Sequence, residues 1–408
     1  MLKRSVTRLG AVASIALMVG VFIGVTPSGA APAAKASGVA SGGAGHSIRV
    51  CGSPAPGTAY CHALLNTDRS HSAGSVGPNT APSGYGPADL QGAYQLPSST
   101  AGTGQTVAIV DAYNDPSAES DLAVYRSQFG LPACTTSNGC FKKVNQNGVM
   151  GSYPRNSGSW SQEISLDLDM VSAICPNCHV LLVEASSPSF SNLGAAENEA
   201  AKLGASEISN SWGGSDTSDA NYGAYFNHAH VAITASSGDG GYGVEYPASS
   251  QYVTAVGGTS LTPAGNTRGW SETAWSGAGS GCSSYNAQPA GQTTAMTTCS
   301  KRAVADVSAD ADPGTGVAVY DSYAYQGYQG WLVFGGTSVA SPIIASVYAL
   351  AGNAASVTYG SYPYSHTGSL FDVSSGSNGS CGGSVLCNAG VGWDGPTGLG
   401  TPDGTGAF

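Results

Sequence analysis

One serine, Ser338, stands in Phe334-Gly-Gly-Thr-Ser338-Val-Ala-Ser-Pro342-Ile343, between a glycine-rich turn and an apolar run that reads as a helix. A serine there has its backbone N–H at a helix start, where developing negative charge is stabilised. That is where a nucleophile for acyl transfer would sit. Such a serine ordinarily passes its proton to a histidine, yet none of the seven histidines lies in a His-Gly-Thr-His context. The base must come from other residues.

Glu163 and Asp167 lie four apart in Gln162-Glu-Ile-Ser-Leu-Asp-Leu-Asp-Met170, which continues into Val171, Ala173 and Ile174 at helical spacing. On a helix both carboxyl groups share one face, close enough to share a proton. A solvated acidic face has the same spacing, but no Lys or Arg occurs between Arg155 and Lys202 to pair with these acids in an otherwise apolar segment. A third acid, Asp239, follows an apolar strand in Thr234-Ala-Ser-Ser-Gly-Asp239-Gly-Gly-Tyr-Gly243. By itself it reads as a turn residue, since Asp tolerates unusual backbone angles and bonds to its own loop.

The elements that position these groups alternate along the chain. Thr106 to Val110, His179 to Val183 and Val231 to Thr234 are short β-branched runs, and Ala118 to Phe129 and Asn192 to Leu203 read as helices. The alternation predicts an α/β fold with a mainly parallel central sheet and helices on both faces. In such sheets functional groups gather at the carboxyl ends of the strands, where Asp111 ends the first strand and Asp239 follows the third.

Residues 1–30 read as a signal peptide: Lys3, Arg4 and Arg8, an apolar run from Ala11 to Val25, then Ser28-Gly29-Ala30 as a small-residue cleavage site. The run is shorter than the roughly 20 residues of a spanning helix, so the expectation is a secreted, extracellular protein with no stable membrane association. Residues 31–84 are rich in Ala, Gly, Ser and Pro, with one short exception from Cys51 to Leu65, and read as a short pro-segment or linker. Residues 85–408 form the organised domain, expected to be monomeric. The ten cysteines fall into sequence neighbours, Cys51 with Cys61, Cys134 with Cys140, Cys175 with Cys178, Cys282 with Cys299 and Cys381 with Cys387, which predicts local disulfides in an oxidising compartment. Charged residues are only 10% of the chain, so acid would change its surface charge little, and the net charge of −11 argues against nucleic acid or an acidic membrane as partner.

Taken together, Gly335-Gly-Thr-Ser338-Val-Ala-Ser-Pro342, the Glu163-x-x-x-Asp167 pair, Ser236-Ser-Gly-Asp239 and Tyr246-Pro-Ala-Ser-Ser-Gln-Tyr-Val-Thr-Ala-Val-Gly-Gly-Thr259 resemble the sedolisins, the serine-carboxyl peptidases. The resemblance covers roughly residues 85 to 408. It implies a subtilisin-like fold and a secreted endopeptidase acting on proteins or peptides in acid, with Ser338 as nucleophile and Glu163 as general base. Asp167 would hold Glu163, and a protonated Asp239 would donate to the oxyanion. It also implies one structural Ca²⁺ ion held by Asp372, Val373, Gly390, Gly392 and Asp394, hard oxygen ligands of the kind that ion takes. Departures are the short segment before Tyr85, where the family commonly carries a large pro-domain, and Asp111 at the place of the subtilisin triad aspartate. Alternatives are a catalytically inactive secreted binding protein on the same fold, and a subtilisin-type protease using Asp111 with a histidine such as His228 or His230. An α/β-hydrolase esterase is disfavoured because Ser338 is followed by Val-Ala rather than x-Gly.

Overall fold

The computed structural model describes residues 46–70 and 82–408. The leader expected over residues 1–30 lies outside them. The central sheet has eight strands. From one edge its order is Trp270–Ala274, Thr254–Pro263, Ala232–Ser236, Glu207–Asn210, Thr106–Ala112, His179–Ala185 and Phe141–Asn145, and Val307–Asp310 pairs in addition with Thr254–Pro263. All pairings are parallel except the one made by Trp270–Ala274. The expected strands and helices are present within two or three residues of their predicted ends. The β-branched, nearly all-buried strand sequences fit a sheet covered on both faces.

Two helices carry most of the chemistry-bearing residues. Gly158–Ile174 is buried from Trp160 to Ile174, and Thr337–Ala351 is buried from Thr337 to Leu350; they pack against each other. A helix apolar all round has to be internal, so any acid on its surface is internal as well. Pro342 lies inside the second helix and has no N–H to give to the Ser338 carbonyl one turn back. The Ser211 hydroxyl lies against that carbonyl instead, at 3.3 Å.

The segment expected to be a short pro-segment or linker is partly built into the sheets. Ser47–Arg49 pairs antiparallel with Leu64–Asn66, which pairs antiparallel with the end of Tyr328–Gly335; Tyr60–Cys61 pairs antiparallel with Trp212–Ser215. The organised region thus includes strands from before Tyr85. Each of these strands has only two or three residues, too few for a period of two to register, and each is held by backbone partners distant in sequence. All five neighbour pairs of cysteines form disulfides, and no cysteine is free. Among the described residues, no helix is long and apolar enough to cross a membrane.

Candidate active site

Ser338 is the second residue of its helix and is fully buried. The residue before that helix, Gly336, has φ 97°, a left-handed value that glycine adopts without strain. A Cβ there would also lie 1.9 Å from the His62 carbonyl oxygen and 2.6 Å from Asp239 Oδ2. Both oxygens therefore face the same small space beside Ser338. The Ser338 N–H donates to the His62 carbonyl at 3.3 Å, and the Ser338 hydroxyl donates to the Ser211 carbonyl at 3.1 Å.

Asp239 reaches this space through the loop after strand Ala232–Ser236. Its Oδ1 accepts from the Thr337 N–H at 2.7 Å and from the Thr337 hydroxyl at 2.9 Å, while its Oδ2 is buried with no hydrogen-bond partner. An acceptor in that position is costly; a protonated oxygen could donate to the carbonyl it faces. Burial pushes the Asp239 carboxyl up to about 6, against the opposing pull of His62, the Thr337 N–H and Arg49.

The acid pair on Gly158–Ile174 is internal rather than a solvated face: Glu163 and Asp167 are both fully buried. Burial, and next the charge of Asp111, hold the Glu163 carboxyl well above the carboxylate range, while the Ser338 hydroxyl and the Ala63 N–H facing it act in the opposite direction. Neither has closed into a hydrogen bond, since both Glu163 oxygens lack a partner within bonding distance. Asp167 is raised likewise by burial and then by Glu163, and its Oδ1 accepts from the Ser211 hydroxyl at 2.8 Å. Asp111, raised by burial and by Asp167, completes the cluster, with both its oxygens buried and unpartnered. Buried carboxyl groups this close share protons, because adjacent like charges in a dry interior cannot all ionise. Asp111 thus sits among the acids and has no histidine partner. His230 bonds the Ala355 carbonyl and His228 lies beside Tyr225, so neither serves a subtilisin-type triad.

The structure therefore brings Ser338, Glu163, Asp167 and Asp239 together. It adds two residues for which the sequence reading assigned no role. His62, fully buried, comes from the segment read as a linker, and Glu245 bonds its ring. The only hint of His62 was the apolar Cys51 to Leu65 patch in which it stands.

The five residues expected at a metal come together away from the serine. Asp372 Oδ2 accepts from the Gly392 N–H at 3.0 Å, and Asp394 Oδ2 accepts from the Gly390 N–H at 3.1 Å. Burial pushes Asp394 up to about 7, with the nearby Asp372 charge adding to the rise. Among the described residues there is no group of three or more His, Cys, Asp or Glu side chains that could hold a metal, so any ion here would rely on backbone carbonyls beside the two acids.

A mainly parallel sheet, with Ser338 at a buried helix start and the buried carboxyls of Glu163, Asp167, Asp111 and Asp239 beside it, gives a subtilisin-like α/β fold. Residues 147–359, more than half of the chain, match the subtilase family model, and the chain belongs to that family. Its similarity within the family runs to the sedolisins. It is 29% identical over 385 residues to sedolisin of Pseudomonas sp. (strain 101), covering 84% of this chain and 63% of that one. It is 29% identical over 363 residues to kumamolisin of Bacillus sp. (strain MN-32), covering 80% and 63%. The chain thus spans under two thirds of the length of these relatives. The solved structure of Pseudomonas sedolisin, a serine-carboxyl proteinase complexed with two molecules of pseudo-iodotyrostatin, aligns with a TM-score of 0.66 at 28% identity, covering 79% of this chain and 96% of that one.

Proposed function

We propose that this chain is a secreted, acid-acting serine-carboxyl endopeptidase that cleaves proteins or peptides through an acyl-enzyme on Ser338. The observation that carries this reading is a peptide carbonyl, that of His62, lying against the Ser338 N–H with the acids around it. Ser338 Oγ attacks the carbonyl carbon of the scissile bond and its proton passes to Glu163. The oxyanion is held by the Ser338 N–H and by the protonated Asp239, donors fixed before reaction begins. The C–N bond then breaks and Glu163 returns the proton to the departing amine; water, deprotonated by Glu163, hydrolyses the ester. Asp167 and Asp111 share the remaining protons with Glu163, so that a single negative charge in the cluster suffices for the base.

Asp372 and Asp394, with the Val373, Gly390 and Gly392 carbonyls, would hold a calcium ion as hard-oxygen ligands, and the ion would neutralise the carboxylates and tie the loops together; no chemical step passes through it.

Digestion of casein by the purified chain, measured from about pH 2 to pH 8, tests the reading and should peak in acid. Glu163→Gln should lower the rate by about 10²- to 10⁴-fold and Ser338→Ala should abolish it. A peak above neutral would sink the carboxylate mechanism. Absence of digestion at every pH would leave a binding protein.

A further inference from the structure

Asp239 stands in Ser237-Gly-Asp239-Gly-Gly-Tyr-Gly243, a loop with four glycines in seven residues and few side chains to hold it. Its shape is therefore set by what its backbone bonds. The neighbour is a second run of small residues, Gly277-Ala-Gly-Ser280. The Gly279 N–H donates to the Gly238 carbonyl and the Gly241 N–H donates to the Gly277 carbonyl, both at 2.8 Å, and Gly243 and Ser280 exchange two backbone bonds of 2.9 Å. A Cβ on Gly279 would lie 2.0 Å from the Ser237 carbonyl oxygen, so the two runs meet backbone to backbone. They hold each other, but by these bonds alone the pair could shift as one.

Asn378, a buried residue, ties both runs to a third segment. Its carbonyl accepts from the Tyr242 N–H at 2.8 Å, and a Cβ on Gly241 would lie 2.6 Å from that carbonyl oxygen. Its side-chain amide donates to the Ala278 carbonyl at 2.6 Å and to the Ser280 hydroxyl at 2.7 Å, which uses both hydrogens of Nδ2. Its Oδ1 is buried with no hydrogen-bond partner, a cost that marks the side chain as kept for its two donors. Asn378 is anchored in turn: its N–H donates to the Cys387 carbonyl at 3.0 Å, next to the Cys381–Cys387 disulfide, and the Ser280 hydroxyl donates to the adjacent Leu386 carbonyl at 2.6 Å. Asp239, Gly240, Gly241, Trp275 and Asn378 border one cavity of about 270 Å³. On that side the Asp239 loop faces open space, and bonds rather than packing keep it in place.

We propose that Asn378 is a positioning residue for Asp239: its side-chain amide fixes the backing run Gly277–Ser280, and through it the place where the Asp239 carboxyl meets the oxyanion. The proposal rests on the peptidase reading above. Thr337 holds the carboxyl end of Asp239 through Oδ1, and the backbone end is held by the loop that Asn378 clamps. Donors fixed in advance stabilise an oxyanion only if they are in place, and a misplacement of about 1 Å costs about 10²-fold in rate. Asn378 acts on the reaction only by way of Asp239, so its contribution has to vanish when the Asp239 carboxyl is absent.

The test is a double-mutant cycle on casein digestion at about pH 4, using the full chain as wild type, Asn378→Ala, Asp239→Ala and the double variant, each checked for folding by circular dichroism. Asn378→Ala is expected to lower kcat by about 10- to 100-fold with KM nearly unchanged. In a chain that already carries Asp239→Ala, the same substitution should cost almost nothing further. Losses that multiply in the double variant, or an Asn378→Ala chain as fast as wild type, overturn the positioning role while leaving the peptidase reading in place. Ser280→Ala removes one of the two acceptors of the Asn378 amide and keeps the other, and it serves the same cycle if Asn378→Ala does not fold. A Ser280→Ala loss that disappears beside Asp239→Ala supports the inference, and one that persists overturns it. A wild-type chain that digests no casein at any pH overturns the peptidase reading, and this inference with it.

Discussion

At the scale of single residues, the proposed mechanism makes Asp239 set the alkaline side of the activity. Its carboxyl is raised to about 6, so the form able to donate to an oxyanion is present below that pH and is lost as pH rises through it. Activity should therefore decline as pH climbs through about 6, a limb that kcat/KM against pH would show. Asp239→Asn keeps an acceptor for the Thr337 N–H and hydroxyl and offers an amide N–H that does not titrate. Its alkaline limb should move to higher pH, whereas Asp239→Ala should lose about 10²- to 10³-fold in kcat at every pH. An unchanged limb in Asp239→Asn would assign that limb to another group. Gly336→Ala should be as damaging, because its Cβ would occupy the space of the scissile carbonyl oxygen, 1.9 Å from that of His62.

At the scale of elements, the site depends on how the two buried helices meet the strand end at Ser211. The Ser211 hydroxyl donates to Asp167 Oδ1, its carbonyl accepts from the Ser338 hydroxyl, and its side chain covers the Ser338 carbonyl freed by Pro342. Ser211→Ala should destabilise the chain by about 1–3 kcal/mol, through the buried acceptors it leaves unpaired, as read by urea unfolding. It should also lower kcat by loosening the acid pair, and an unaltered pH profile would mean that Asp167 needs no help from this strand. The same elements show how far the amino-acid order could be read. Both helices were legible because apolar residues recur at helical spacing and acids without basic neighbours stand out. The strands of residues 46–66 were not, because strands of two or three residues are held through their backbones and are too short to show a side-chain period.

At the scale of the whole molecule, buried acids set the response to pH. Glu197 and Glu207 are pushed to about 8 by burial and Glu184 to about 7, while Asp169, Asp310 and Asp321 lie well above the carboxylate range for the same first reason. Folded-state values above the unfolded ones mean that these groups stabilise the fold below about pH 4 and lose that contribution as pH rises through their folded values. The melting temperature should accordingly be higher at pH 4 than at pH 8.5, and the reverse order would show that these carboxyls do not govern stability. Chelation provides an independent check on the Asp372 and Asp394 loop. If free calcium is at about 100 times its Kd, its removal costs about 2.7 kcal/mol, a drop of about 3–5 °C in Tm for a domain this size. Calcium but not zinc should restore it.

The amino-acid order by itself determined the serine, the pair of acids, the alternating architecture and the five disulfides, because each is written in neighbours along the chain. Only the tertiary structure decided that Asp111 joins the acids, that Asp239 turns an unpaired oxygen toward a carbonyl, and that His62 lies in the cleft. Those facts depend on groups from 50 to 280 positions apart being buried together. The proton affinity of an acid and the seat of an extended strand are set by what surrounds them, and those surroundings exist only once the chain has folded.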